Sequence, residues 1–71
     1  MPKALLVKRL SPQLRKKLFP DFTVFAYGDR LEGRGFDHIV VAFLEQTQRE
    51  IEWVEEAQTF LRRGGKFVRL Q

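Results

Sequence analysis

Apolar residues occur along the chain in short blocks closed by lysines, prolines or glycines. The first block, "KALLVKRL", sets four apolar residues, 4–7, between lysines. An unbroken run of that length reads as a strand buried on both faces. Ser11-Pro12 follows as a helix start. Serine can cap free N–H groups, and proline at the first helical position lacks an N–H that would be unpaired anyway. Leu14 and Leu18, one turn apart, are expected on the inner face of this short helix, and Pro20 stops it.

"DFTVFAYG" is rich in β-branched and aromatic residues and ends at Gly28, which predicts a second strand over 22–27. "HIVVAFL" predicts a third, the most apolar of all. Thr47-x-x-Glu50 has the spacing of a capping box and opens a long helix, expected over 48–63. At 100° per residue, Val54, Ala57 and Leu61 make its inner stripe. Trp53 and Phe60 flank one side and Ile51 the other, while Glu52, Glu55 and Glu56 face water. Gly64-Gly65 reads as the helix stop, and "KFVRL", 66–70, as a closing strand.

The order β-α-β-β-α-β fits two architectures. One is a miniature Rossmann-like, three-layer α/β domain. Its four-stranded, mainly parallel sheet has order 2-1-3-4, with one helix on each face. The alternative is a ferredoxin-like antiparallel sheet with both helices on one side. An antiparallel sheet with one wet face alternates apolar and polar positions; "ALLV" and "HIVVAFL" do not. Right-handed crossovers then place the helices on opposite faces. The parallel form is therefore expected, with 28–36 crossing to the third strand with little or no helix.

The chain has 71 residues and no cysteine. It reads as a single domain over 1–71, able to bury only about 60% of its unfolded surface. Neither disulfide nor thiolate metal site reinforces it. Lack of cysteine, lack of a signal-like segment and lack of a long apolar run suggest a cytoplasmic, non-membrane protein. The net charge is +4, unevenly spread. Residues 1–35 hold eight Lys/Arg against three acids (+5), and 36–71 hold five against six (−1). A lopsided basic chain suggests an anionic partner.

Three patterns suggest chemistry. Gly28, Gly33 and Gly35 do not space as a dinucleotide or phosphate loop, and a strand rather than a helix N-terminus follows them. "LEGRGFDHIVVAF" resembles the strand that carries the catalytic acid in nucleotide-hydrolysing folds. It ends Val41-Ala42-Phe43, however, and Glu45 falls two residues late, so the acids that would hold magnesium are missing. "RGFDHIVVAF" also partly resembles the aromatic octapeptide of RNA-recognition motifs, through Arg34, Gly35, Phe36 and Ile39. The resemblance implies a sheet that stacks bases, but His38, Val41 and Leu6 stand where stacking rings are needed.

In a parallel α/β domain the helix C-termini meet the N-terminal edge of the sheet. Lys3, Arg15, Lys16, Lys17, Arg62, Arg63 and Lys66 should gather there. Their simplest role is to offset the helix macrodipoles; the functional one is to bind nucleic-acid phosphates. His38 is the lone histidine, with Asp37 beside it as an orienting acid but no adjacent nucleophile. No catalytic residue, cofactor or metal is expected. Trp53 and Phe60 are the candidate anchors for a protein partner, unless they complete the small core. The two edge strands, 22–27 and 66–70, could join another chain, although Lys66 and Arg69 discourage casual pairing. The expected function is thus non-enzymatic: a small accessory protein acting through protein–protein contact or self-association, of a size that suits a phage or mobile element. The alternative is a nucleic-acid-binding module using Arg15, Lys16, Lys17, Arg62, Arg63 and Lys66.

Overall fold

A computed structural model describes residues 2–33, 35–42 and 44–70. Arg34, part of the RNA-motif resemblance, and Phe43, at the end of the apolar run, lie outside the described residues. The elements are β1 (Lys3–Val7), α1 (Pro12–Leu18), β2 (Thr23–Ala26), β3 (Phe36–Ala42), α2 (Gln48–Gln58) and β4 (Leu61–Leu70). The four strands form one all-parallel sheet of order β2-β1-β3-β4. This is the small three-layer α/β arrangement expected from the unbroken apolar runs.

Register divides the side chains between two faces. Leu6 pairs with Phe25 on one side and Val41 on the other. With Ala4, Ile39, Val54, Ala57, Leu31 and Phe36 they form the main core, under α2. The opposite face holds a smaller cluster of Leu5, Val7, Val24 and Ala42, with Leu10, Phe22 and Val40 at its margin. Leu31 belongs to the crossing between β2 and β3. The crossing is therefore not purely polar: it plugs a leucine into the main core beside Phe25 and Phe36, whose rings meet edge to face at 6.3 Å.

Three expectations need correction. First, α1 buries none of its residues; Leu14 and Leu18 are 41% and 55% exposed. Seven residues make only two turns, too little helix to lay a stripe over a sheet. Second, Ser11 occupies the N-cap position in extended conformation, but its side chain makes no capping bond. Third, α2 ends at Gln58, not near 63, and β4 begins at Leu61. Gly64-Gly65 does not stop a helix but lies within β4. There Phe36 pairs with Leu61 and His38 with Lys66, so 62–65 bulge opposite Asp37 alone.

The bulge needs its glycines. Gly64 takes φ +81°, and a Cβ on Gly65 would lie 2.7 Å from Leu61 Cδ1 and 3.0 Å from the Asp37 carbonyl oxygen. The leucine can turn aside, whereas the paired backbone cannot easily yield. Gly65→Ala should therefore destabilise the chain by about 1–3 kcal/mol, as overpacking does. Urea titration would show it as a lower midpoint; an unchanged midpoint would mean the bulge is looser than its contacts indicate.

Candidate functional site

Open α/β sheets usually receive ligands at the carboxyl ends of the strands where the strand order reverses. Here that point lies between β1 and β3, and the chain fills it. Lys8, just past β1, donates a 2.6 Å hydrogen bond from Nζ to Glu50 Oε2. Glu50 is 1% exposed, and its other oxygen accepts from the Thr47 amide, while Thr47 Oγ1 accepts from the Glu50 amide. The expected capping box is thus present, and its glutamate doubles as the buried half of an ion pair. The Lys8 hydrogen bond is the main force holding the Glu50 carboxyl below its ordinary pKa; desolvation opposes it. The same bond raises Lys8 above the usual lysine value, again against desolvation. The Lys8 ammonium also lies 5.2 Å from the centre of the Tyr27 ring. The usual crevice is plugged by structural charge.

The α1 face of the sheet is more open. Parallel register puts Lys3, His38 and Lys66 side by side across β1, β3 and β4. Adjacent strands are about 4.8 Å apart, so two lysines flank the histidine in one row. His38 Nδ1 is buried without a hydrogen-bond partner. Asp37 does not orient the ring. Successive strand residues face opposite ways, and its carboxylate accepts a hydrogen bond from Arg62 Nε. Along the same face, Val68 and Leu70 of β4 are 39% and 51% exposed, and Val40 is half-buried.

The other expected cations divide. Arg15 is drawn away from the N-terminal edge: its Nε donates to the Leu10 carbonyl and one Nη to Asp29 at 2.9 Å. Arg62 and Arg63 do not end a helix; they sit in the β4 bulge, beside the start of β3. They still reach the predicted edge, although for a different reason. Lys16 and Lys17 are exposed on the last turn of α1. Lys3 extends over the Phe22 ring, 5.7 Å from its centre, and Phe22 meets Phe19 edge to face at 6.4 Å. These contacts link the strand row to the C-terminal end of α1.

Trp53 and Phe60 both pack, half-buried, against the main core. Trp53 Nε1 donates to the Asp29 carbonyl at 3.1 Å, and its ring meets Tyr27 edge to face at 5.5 Å. Much of each anchor is thereby engaged within the chain. Sequence reasoning missed the Lys3–His38–Lys66 row, because register between distant strands is not a local property. It also missed the burial of Glu50, although the capping box named the residue.

No family model, curated protein or solved structure matches the chain. Among the described residues, no helix is long and apolar enough to cross a membrane.

Proposed function

We propose that this is a non-catalytic binding domain that adds an extended, acidic segment of a partner protein to its β4 edge. The observation that carries this reading is the coincidence of a long edge strand with an uncovered apolar face. β4 runs ten residues, and Val68 and Leu70 stand exposed on the side where α1 fails to reach. An edge strand offers unpaired N–H and C=O groups, and a partner strand gains main-chain bonds from them and specificity from alternate side chains.

Charge selects among occupants. β4 contains Arg62, Arg63, Lys66 and Arg69 and no acid. Two copies pairing β4 to β4 would oppose cation to cation, which disfavours self-association. An extended segment alternating acidic and apolar residues lays its apolar side along Val68 and Leu70 and turns its acids toward Arg69 on the opposite face, with Lys66 at the start of the apolar side. Among the described residues of β3 and β4, no aromatic ring stands exposed to stack bases.

A synthetic peptide of alternating valine and glutamate is a sufficient probe. It should protect the β4 backbone amides from exchange. Val68→Asp should weaken it about tenfold or more by placing a charge in the apolar strip, while circular dichroism stays native because Val68 is exposed. A peptide that binds equally to the variant, or protects β2 instead, would refute the assignment. Displacement by an oligonucleotide from β4 would favour nucleic acid, and concentration-dependent dimers lost in Val68→Asp would favour a second copy.

A further inference from the structure

A second surface has the makings of a ligand site. Between α1 and β2 lies a groove of about 360 Å³, lined by Pro12, Arg15, Lys16, Phe22, Thr23 and Val24. That volume falls within the roughly 300–1,000 Å³ typical of small-ligand sites. Its position is unusual for the fold, since it lies on the outer flank of the edge strand, away from the plugged crevice between β1 and β3.

We propose that this groove binds a nucleotide, with the phosphate held by Lys16 and Lys3 and the base against the apolar wall of Phe22, Val24 and Pro12. Arg15 forms a preset part of the wall. Hydrogen bonds to the Leu10 carbonyl, the Val24 carbonyl and Asp29 fix its guanidinium, and its Nη2 takes part in none of them. Lys16 is exposed at the groove, and the Lys3 ammonium lies over Phe22. One lysine thus lines the groove, and a second lies over the ring of Phe22, which forms part of its wall. Asp29 is neutralised by Arg15, with its Oδ2 also accepting from the Ala26 amide. Asp21, exposed beside Phe22 in sequence, is the nearest remaining acid along the chain.

The chemistry distinguishes a nucleotide from simpler anions. A bare phosphate gains only the lysines, whereas a nucleotide also covers the apolar wall. An acidic peptide could satisfy the lysines but brings no flat group for the slot. Arginine and aromatic rings are the side chains on which bases characteristically stack. The nucleotide could be free or part of a single strand, since both present the same base and phosphate.

Titration of the isotope-labelled chain with AMP, inorganic phosphate and a short oligothymidylate, followed by amide shifts, tests the proposal. AMP or the oligonucleotide should move the Thr23 and Val24 amides in a saturable way. Inorganic phosphate should do so about tenfold more weakly or less, for want of the base contacts. Response to AMP alone identifies a free nucleotide, and response to the oligonucleotide alone identifies a strand. Lys16→Glu should weaken either by about tenfold through reversal of an exposed charge at the phosphate, whereas Val68→Asp should leave it unchanged. The Val68→Asp arm keeps a failure here separate from a failure at β4. No saturable shift at Thr23 and Val24, equal titration by inorganic phosphate, or full binding by Lys16→Glu would each overturn the assignment.

Discussion

Leu6→Ala should remove a large share of the chain's stability, about 2–5 kcal/mol at 25 °C. Leu6 has no exposed surface and lies at the centre of the sheet, between Phe25 and Val41 in register and under α2. Truncating such a leucine typically costs about 2–5 kcal/mol, the spread reflecting how far the site collapses into the cavity. Here collapse is restricted, because strands hold Leu6 on both sides. A domain of this size has roughly 4–10 kcal/mol in total by the usual per-residue range. It has neither a disulfide nor much of a second core to add to that. Urea denaturation followed by Trp53 fluorescence would measure the loss. Leu18→Ala, at an exposed leucine of similar chemistry, should stay within about 0.5 kcal/mol of the parent. If Leu6→Ala cost less than about 1 kcal/mol, the main core would not carry the stability its burial implies.

The contrast between these leucines shows which parts of the fold were legible in the sequence. Both lie in credible apolar patterns. Leu6 sits in an unbroken run, which reads as a strand covered on both sides and so favoured the parallel sheet over the ferredoxin-like alternative. Hence the parallel sheet and its order followed from "ALLV" and "HIVVAFL" together with the right-handed crossover. Leu18 belongs to a helix whose capping residue, proline and i, i+4 leucines were all readable, yet length decided its burial. Two turns cannot span the sheet, so the α1 face stays open over Val40, Val68 and Leu70. The end of α2 was ambiguous for a different reason. Ala57, Phe60 and Leu61 satisfy helical spacing, and Gly64-Gly65 satisfies a helix stop. The same residues serve equally well as a turn, the first residue of β4 and a bulge, and pairing of Leu61 with Phe36 selects the second use.

The candidate surfaces were less legible than the fold. A basic N-terminal edge could be anticipated from helix polarity, and Lys3, Lys16 and Lys66 are found along it. Arg15 was lost to Asp29, and no local signal pairs those two residues. The row of Lys3, His38 and Lys66 exists only because three strands align at one register, so it appears once the sheet is assembled. Exposure of the β4 face follows from what α1 fails to cover, which is a property of the missing helix length rather than of β4 itself.

The stability of the chain should fall in acid by an amount that Glu50 specifically controls. Its carboxyl is held below the ordinary range in the folded chain, first by the hydrogen bond from Lys8 and then by the Thr47 amide, against desolvation. In the unfolded chain it reverts to an ordinary value of about 4.3. The unfolded state therefore binds more protons between those two values, so the stabilisation is complete above the unfolded pKa and is lost as pH falls through the folded one. Glu50→Gln should be less stable than the parent at pH 7, with a difference in midpoint that narrows steadily below about pH 4. Other carboxylates contribute the same acid loss to both proteins and cancel in that difference. Removing the partner should act in the opposite sense. Lys8→Met leaves a carboxylate at 1% exposure without its cation. Burial then favours the neutral acid, and protonation relieves the unpaired charge. Lys8→Met should accordingly be most destabilised at neutral pH and recover relative to the parent as the pH drops. Thermal melts of the three proteins between pH 3 and pH 7 would decide it. Parallel acid limbs for Glu50→Gln and the parent would show that the Lys8–Glu50 bond contributes nothing to folding. In that case the plugged crevice between β1 and β3 would have to be read as a site held closed by something weaker.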